Sequence, residues 1–276
     1  SPLRDVYKRQ VLDVSLDKNR EPLLKLLEQG ISIQYFDHHF AGDIPCHPLL
    51  ESHIETLPDK GTSLLVDDYL GGAQRAWAVV GTFGDNFDSA AHHAAKPLRL
   101  DPDELALLRE LGIVLNYNGY GETIDDLHIA PDELFRRIAP YADPLDFARE
   151  DATFAHLRDG FAQDIERARA VAPERQSDQH MIVILPSAAW ARRAGGVYAN
   201  ELAQAAPGRA HALLTRLVQG GFVVSVRAPL ARAGGADRLC RKFPSGGGRR
   251  AAAGINYLPE EDFGRFTDAF LAAFQA

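Results

Sequence analysis

The sequence predicts an α/β protein of two domains joined by a helical connector, on three observations. The chain opens with a strand–helix–strand pattern, and its C-terminal third returns to an α/β alternation. The stretch between, from roughly residue 119 to 179, is patterned mostly as helix, with Pro131, Pro140 and Pro144 marking boundaries. With 276 residues, 46% of them hydrophobic and 25% charged, the chain can bury two modest cores.

The elements follow in order. Ser1–Gln10 (SPLRDVYKRQ) fits no periodicity and is set aside as a non-native leader. Val11–Leu16 reads as a short apolar strand. Arg20–Gln29 is a helix with leucines at 23, 24, 26 and 27, stopped by Gly30, and Ile31–Phe36 is a second strand. A unit of this length implies a right-handed crossover and a parallel sheet. Helices are expected at Thr62–Leu70 and Gln74–Phe83, and at Pro102–Tyr117, which enters through Asp101 as N-cap with Pro in its first turn. A long polar helix should run from about Pro144 to Val171, and Pro173–Gln179 (PERQSDQ) is the best linker candidate. Beyond it come strands at Met181–Leu185, His211–Thr215 and Phe222–Arg227, with a helix at Val197–Ala206. A glycine-rich turn at Gly246–Gly248 and an amphipathic helix at Glu261–Phe274 complete the chain.

Composition excludes several function classes. No apolar run reaches the eighteen residues a membrane-spanning helix needs, and no signal-peptide pattern opens the chain. Cys46 and Cys240, the two cysteines, have neither CxxC nor zinc spacing, and read as incidental thiols of a cytoplasmic protein. The net charge of −8 argues against coating long nucleic acid. It is unevenly spread: Arg209–Arg250 holds nine Lys/Arg against one acid, leaving the first 208 residues at −13. An acidic front suits cation binding and a basic segment suits an anionic substrate. Two oppositely charged surfaces docked on each other fit the same distribution equally well.

Three clusters carry chemistry. Asp13, in VLDVSLD, stands near the carboxyl end of the first strand, where ligands of open parallel sheets bind. Asp37-His38-His39 ends the second strand, and imidazole with carboxylate suits manganese, iron or zinc over calcium. His92-His93 is a similar pair, but lies in an alanine-rich stretch read as loop. Asp85 follows the apolar helix in AWAVVGTFGDN; alone it is a polar terminus as readily as a ligand. Gly246–Gly248, at the start of an expected helical segment, would let backbone N–H groups approach a phosphate. A flexible hairpin is the alternative, and Arg227 and Arg249-Arg250 favour the cradle.

Together, VLDVSLD, FDHH and GTFGDN resemble three ordered motifs of the DHH phosphoesterase superfamily. SVRAP followed by FPSGGGRRAAAGI resembles its DHH-associated domain, so the likeness runs from Val11 to at least Ile255. The resemblance implies a parallel-sheet DHH domain over 11–125, a helical connector over 126–179 and a smaller α/β DHH-associated domain over 180–276. It implies a hydrolase of phosphodiester or phosphomonoester bonds in small nucleotides or short oligonucleotides. Asp13, His38 and Asp85 would be metal ligands, with Asp37 orienting His38 and His39 contacting the scissile phosphate. Arg227, Gly246, Gly247, Gly248 and Arg249 would bind substrate, and two Mn2+ ions are expected in a complete protein. Two departures stand out. An Asp-x-Asp motif should precede Val11, and its absence here is expected to impair this form. Arg249 stands where most relatives carry histidine, keeping phosphate binding but losing titration near neutrality. The alternative is a non-catalytic nucleotide-binding protein with a degenerate metal site.

Overall fold

The structure, a computed structural model, describes residues 8–57, 59–232 and 234–275. In chain order the elements are β1 (Lys8–Leu12), α1 (Leu16–Glu28), β2 (Ser32–Asp37), β3 (Leu50–Ile54), α2 (Thr62–Tyr69), α3 (Arg75–Gly84), α4 (Asp88–Ala95) and α5 (Pro102–Tyr117). Then follow α6 (Pro131–Ile138), α7 (Pro144–Glu150), α8 (Ala152–Arg169), β4 (Arg175–Gln176), β5 (His180–Leu185) and α9 (Ala189–Ala205). The last are β6 (Ala210–Arg216), β7 (Phe222–Arg227), α10 (Ala236–Cys240), β8 (Gly246–Gly248), β9 (Ala252–Leu258) and α11 (Phe263–Ala273). The fold is α/β, in two compact units. One is the chain up to Asn116 with Leu134–Ala155; the other is Tyr117–Glu133 with His156 onward.

The first unit is built on a parallel sheet of order β1-β2-β3. Leu16, Leu23 and Leu27 of α1 pack on Ile33 and Tyr35 of β2, which is why the leucines carry helical spacing. On β2's other face Phe36 stacks on His53 at 4.5 Å and meets Tyr69 edge-on. α3 and α5 approach closely where both carry glycine: a Cβ at Gly112 would lie 2.2 Å from the Val80 carbonyl oxygen.

The second unit holds a mixed sheet of order β4-β5-β6-β7-β9-β8, in which only β5 and β6 run parallel. Phe266, Phe270 and Phe274 fill one face with Leu239 and Phe243. Ile165, Ala168, Tyr198 and Ala199 fill the other against Val183 and Leu213. Two buried carboxylates tie this unit together. Asp164 accepts from Tyr117 Oη (2.9 Å) and from Arg193 Nε (2.7 Å) and Nη2 (3.0 Å), and pairs with His128 Nε2 at 3.1 Å. Burial pushes its carboxyl up, but the bonds from His128, Arg193 and Tyr117 outweigh that and leave it below the ordinary value. Asp126 takes a bidentate contact from Arg192, whose hydrogen bonds hold its carboxyl well below the usual carboxylate range.

Several elements differ from the sequence reading. Lys8–Gln10, set aside as leader, form the first half of β1, while residues 1–7 lie outside the described residues. The strand ends at Leu12, and α1 begins at Leu16, kinked at Asn19 ahead of Pro22. β3 is an addition, since its mixed LESHI pattern carries no clear alternation. The alanine-rich stretch with His92-His93 is helix α4. The long helix from Pro144 divides at Asp151, whose extended backbone ends α7 and whose side chain accepts from Thr153 N–H at 2.8 Å. The PERQSDQ linker candidate contributes β4, paired antiparallel to β5. α9 starts eight residues earlier than expected, across the Gly195-Gly196 pair.

Two outcomes follow. Gly112→Ala gains about 1 kcal/mol of helix propensity but forces α3 from α5, so urea unfolding should show a net loss of about 1–3 kcal/mol; a more stable variant would contradict the close crossing. Because the folded Asp126 carboxyl is depressed, its stabilisation is present above its unfolded pKa of about 3.9 and is lost as pH falls through the folded value. Asp126→Asn should therefore flatten the acid-side fall in stability below about pH 4, measured by denaturant titration across pH.

Candidate metal centre

The carboxyl ends of β1 and β2 bring three sequence-predicted residues together. One ligand atom each from Asp13, His38 and His39 lies within 4.8 Å of the others. Asp13 leaves β1 with φ 60°, a left-handed conformation that a non-glycine residue rarely adopts. Its N–H still donates to Phe36 O at 3.0 Å, which fixes the chain at the end of the β1–β2 ladder. The next carbonyl, of Val14, accepts from Tyr35 Oη at 2.5 Å. Such strain costs roughly 1–3 kcal/mol and collects at functional sites. Here it turns the Asp13 carboxylate toward His38, whose Nε2 stands 3.5 Å from Asp13 Oδ1.

Asp37, fully buried at the end of β2, organises the turn that follows. Its Oδ1 accepts from the backbone N–H of His38 (2.9 Å) and His39 (3.2 Å) and meets His39 Nδ1 at 2.7 Å. Its Oδ2 accepts from Leu16 N–H at 3.3 Å. The imidazole held by Asp37 is thus that of His39, where the sequence reading assigned it to His38; the i,i+2 spacing folds the His39 ring back over the carboxylate. His38 is placed instead by its backbone N–H, by the His39 ring at 4.6 Å, and by the edge of Phe87 at 5.7 Å.

Asp85 stands outside the three-residue cluster but faces it. It is the C-cap of α3, and the chain turns there through Asn86 at φ 62°, with Phe87 N–H donating to Thr82 O and Asn86 N–H to Phe83 O. That turn also delivers Phe87 to His38. Burial first, and then the charge of Asp13, push the Asp85 carboxyl up, with His38 and His39 opposing. Asp13 and Asp85 line one cavity of about 460 Å³ with the starts of α2 and the body of α3.

Thr62, the first residue of α2, was not among the sequence candidates. Its Oγ1 donates to Asp13 Oδ1 at 2.7 Å. Beside it, a Cβ on Gly61 would lie 2.8 Å from Asp85 Oδ2, so this glycine leaves room for the carboxylate. The signal was the Gly61-Thr62-Ser63 run, which reads as ordinary helix-start chemistry.

The anion-binding candidates lie in the second unit. Gly246–Gly248 form β8, the edge strand paired with β9, and not a turn before a helix; the small-residue segment beyond is β9. Helix N-terminal donors are therefore not what this cradle offers. Gly248, at φ 136°, would put a Cβ 2.5 Å from Ala253 Cα, so the tight β8–β9 connection requires glycine there. Arg249 is exposed in that connection, bonded through its backbone to Ala252. Arg227, at the end of β7, donates from Nε to Asn200 Oδ1 at 2.7 Å. Burial, and then the neighbouring charge of Arg249, pull its guanidinium below the ordinary value, so two cations converge here. His92, by contrast, packs edge-on against Phe83.

No family profile and no curated protein matches the sequence. Solved structures do match the fold. Exonuclease RecJ bound to manganese aligns with TM-score 0.51 and 20% identity over 96% of this chain and 74% of its own. The pGpG-specific phosphodiesterase PggH of Vibrio cholerae aligns with TM-score 0.52 and 15% identity over 96% of this chain and 98% of its own. This chain has the fold of the DHH phosphoesterases. CDC45 from Entamoeba histolytica also aligns, at 8% identity and TM-score 0.51, over 99% of this chain and 85% of its own. Among the described residues no helix is long and apolar enough to cross a membrane.

Thr62→Val preserves shape and removes the bond that orients Asp13. Manganese titration by calorimetry should show affinity about tenfold weaker, with the melting temperature nearly unchanged; undiminished affinity would mean the backbone alone places Asp13.

Proposed function

We propose that this protein is a metal-dependent phosphoesterase, hydrolysing phosphodiester or phosphomonoester bonds of small nucleotides or short oligonucleotides. The observation that carries this reading is the Asp13–His38–His39 cluster at the carboxyl ends of two parallel strands. Two imidazoles and a carboxylate fit a transition-metal ion, Mn2+ by our reading, at metal–ligand distances of about 2.0–2.2 Å. The fold shared with a manganese-bound exonuclease and a dinucleotide phosphodiesterase supports the same reaction class.

Each residue has a part. Asp13 and His38 hold the ion, and Thr62 fixes which way the Asp13 carboxylate faces. Asp85, poised in the same cavity, is the next carboxylate available to an ion or to an attacking water. Asp37 engages Nδ1 of His39, which leaves Nε2 to meet an ion or a phosphate oxygen. A bound divalent ion would lower the pKa of water and offset charge on the phosphate. Arg227 and Arg249 supply permanent positive charge for a phosphate, with the β8 edge beside them. The net charge of −8 favours short substrates over long strands.

Hydrolysis of bis-p-nitrophenyl phosphate and of a linear dinucleotide, with Mn2+ and with a chelator, tests the reading. Activity should need the metal, and Asp13→Asn and His38→Ala should each lower kcat at least 10–100-fold. Arg249→Ala should raise KM for the dinucleotide and leave manganese affinity unchanged. Nucleotide binding without any metal-dependent turnover would identify a non-catalytic binding protein instead.

A further inference from the structure

The second unit contains a polar cavity of about 360 Å³ beside α8, lined by His128, His156, Asp159, Gly160, Gln163 and Asp164. The phosphoesterase reading uses none of these residues. Residues 156, 160, 163 and 167 recur on one face of α8 at helical spacing, and Gly160 leaves a gap in the middle of that face. The imidazole of His128, carried by the 117–133 segment of the same unit, lies in the gap. A Cβ on Gly160 would stand 2.6 Å from His128 Cε1, 2.8 Å from Nδ1 and 2.9 Å from Nε2, so the ring occupies the space a side chain would take.

His128 is held in one orientation. It is mostly buried, its Nε2 meets Asp164 at 3.1 Å, and its ring tilts 31° against that of Tyr117. Asp164, kept ionised against its burial by the bonds from His128, Arg193 and Tyr117, makes Nε2 the donor and leaves Nδ1 with a lone pair. The two nitrogens of an imidazole point away from each other. Asp164 stands one turn beyond Gly160, so Nδ1 is directed toward the turn before it, where the His156 ring lies edge-on at 6.1 Å.

The remaining donors are uncommitted. Neither His128 Nδ1 nor the His156 ring has a hydrogen-bond partner among the described residues. Asp159, three residues after His156 on α8 and 66% exposed, meets only Arg158, at 3.8 Å, a loose surface contact. The arginines in the wall are turned to Asp164. Arg193 spends Nε and Nη2 on it and Nη1 on the Asp126 carbonyl, and Arg167 Nη1 stands 3.8 Å from it. A carboxylate behind an imidazole whose other nitrogen is free is the usual support of a metal-ligating histidine. A histidine and a carboxylate three residues apart on one helix can share an ion.

We propose that His128, His156 and Asp159 form a second metal site, separate from the Asp13 centre, and that it takes Zn2+. Two imidazoles and a carboxylate at about 2.0–2.2 Å leave one tetrahedral position for water. Among the described residues only Asp13, His38 and His39 already converge within 4.8 Å. Here the ion is met by rotation of two exposed side chains about the fixed His128. Mn2+, weakest of the divalent first-row series at such donors, is not retained. The bound ion joins the 117–133 segment to α8 and stabilises the unit.

Zinc titration followed by the histidine ring resonances tests this. In the wild type His128 and His156 should shift together, and the melting temperature should rise. Mn2+ at the same concentration should leave both rings unperturbed. His38→Ala, which removes a residue of the Asp13 cluster, should keep the paired response. His156→Ala removes an exposed side chain, so the metal-free melting temperature should be unchanged. Its zinc affinity at His128 should fall at least about 10–100-fold, the loss that even an outer-shell partner brings, and Asp159→Asn should weaken binding in the same direction. Zinc that leaves His128 and His156 unshifted, undiminished affinity at His128 in His156→Ala, loss of the paired response in His38→Ala, or an equal response to Mn2+ would each overturn the proposal.

Discussion

The first unit is organised around one buried carboxylate. Asp37 sits at the end of β2 with no solvent exposure, and a carboxylate there is tolerated only when donors surround it. Leu16 N–H, the N–H groups of His38 and His39, and the His39 ring all converge on it. Those four contacts join the start of α1, the end of the parallel sheet and both histidines of the candidate metal centre. The turn geometry is therefore a consequence of satisfying a buried carboxylate, and the arrangement of the candidate metal centre is a consequence of the turn. Asp13, strained at φ 60° and anchored to Phe36 and Thr62, closes the cluster from β1 and α2.

The second unit solves a similar problem with arginine. Asp126 and Asp164 are buried and met by the consecutive Arg192 and Arg193 of α9, which also ties Tyr117 and His128 into that unit. Removing either partner would leave an uncompensated buried charge, a loss of about 3–5 kcal/mol. Arg193 spends two of its nitrogens on Asp164 and the third on the Asp126 carbonyl. Arg192 spends only two, and its Nη1 is buried without a hydrogen-bond partner.

Much of this was legible in the sequence, for identifiable reasons. The parallel strand–helix–strand unit and α5 announce themselves through apolar spacing, caps and prolines, and the strand ends draw attention to Asp13, Asp37 and the two histidines, of which Asp13, His38 and His39 cluster in the structure. What could not be read was direction. Three consecutive residues at a strand end can splay several ways, so which imidazole Asp37 holds depended on the turn; the family resemblance implied His38, and the structure pairs Asp37 with the His39 ring. Thr62 was hidden because a threonine at a helix start has an ordinary local explanation. The glycine triplet misled because its neighbours are small residues that suit helix as well as strand, and pairing with β9, a tertiary effect, decided for strand.

The central claim is that the Asp37-organised turn builds a transition-metal site from Asp13, His38 and His39. Paramagnetic broadening of histidine ring resonances by substoichiometric Mn2+ locates the ion most directly. The account predicts that His38 and His39 broaden first, that His92, His128 and His211 do not, and that Asp13→Asn abolishes the selectivity. Broadening centred on other histidines, or unchanged by Asp13→Asn, would contradict it.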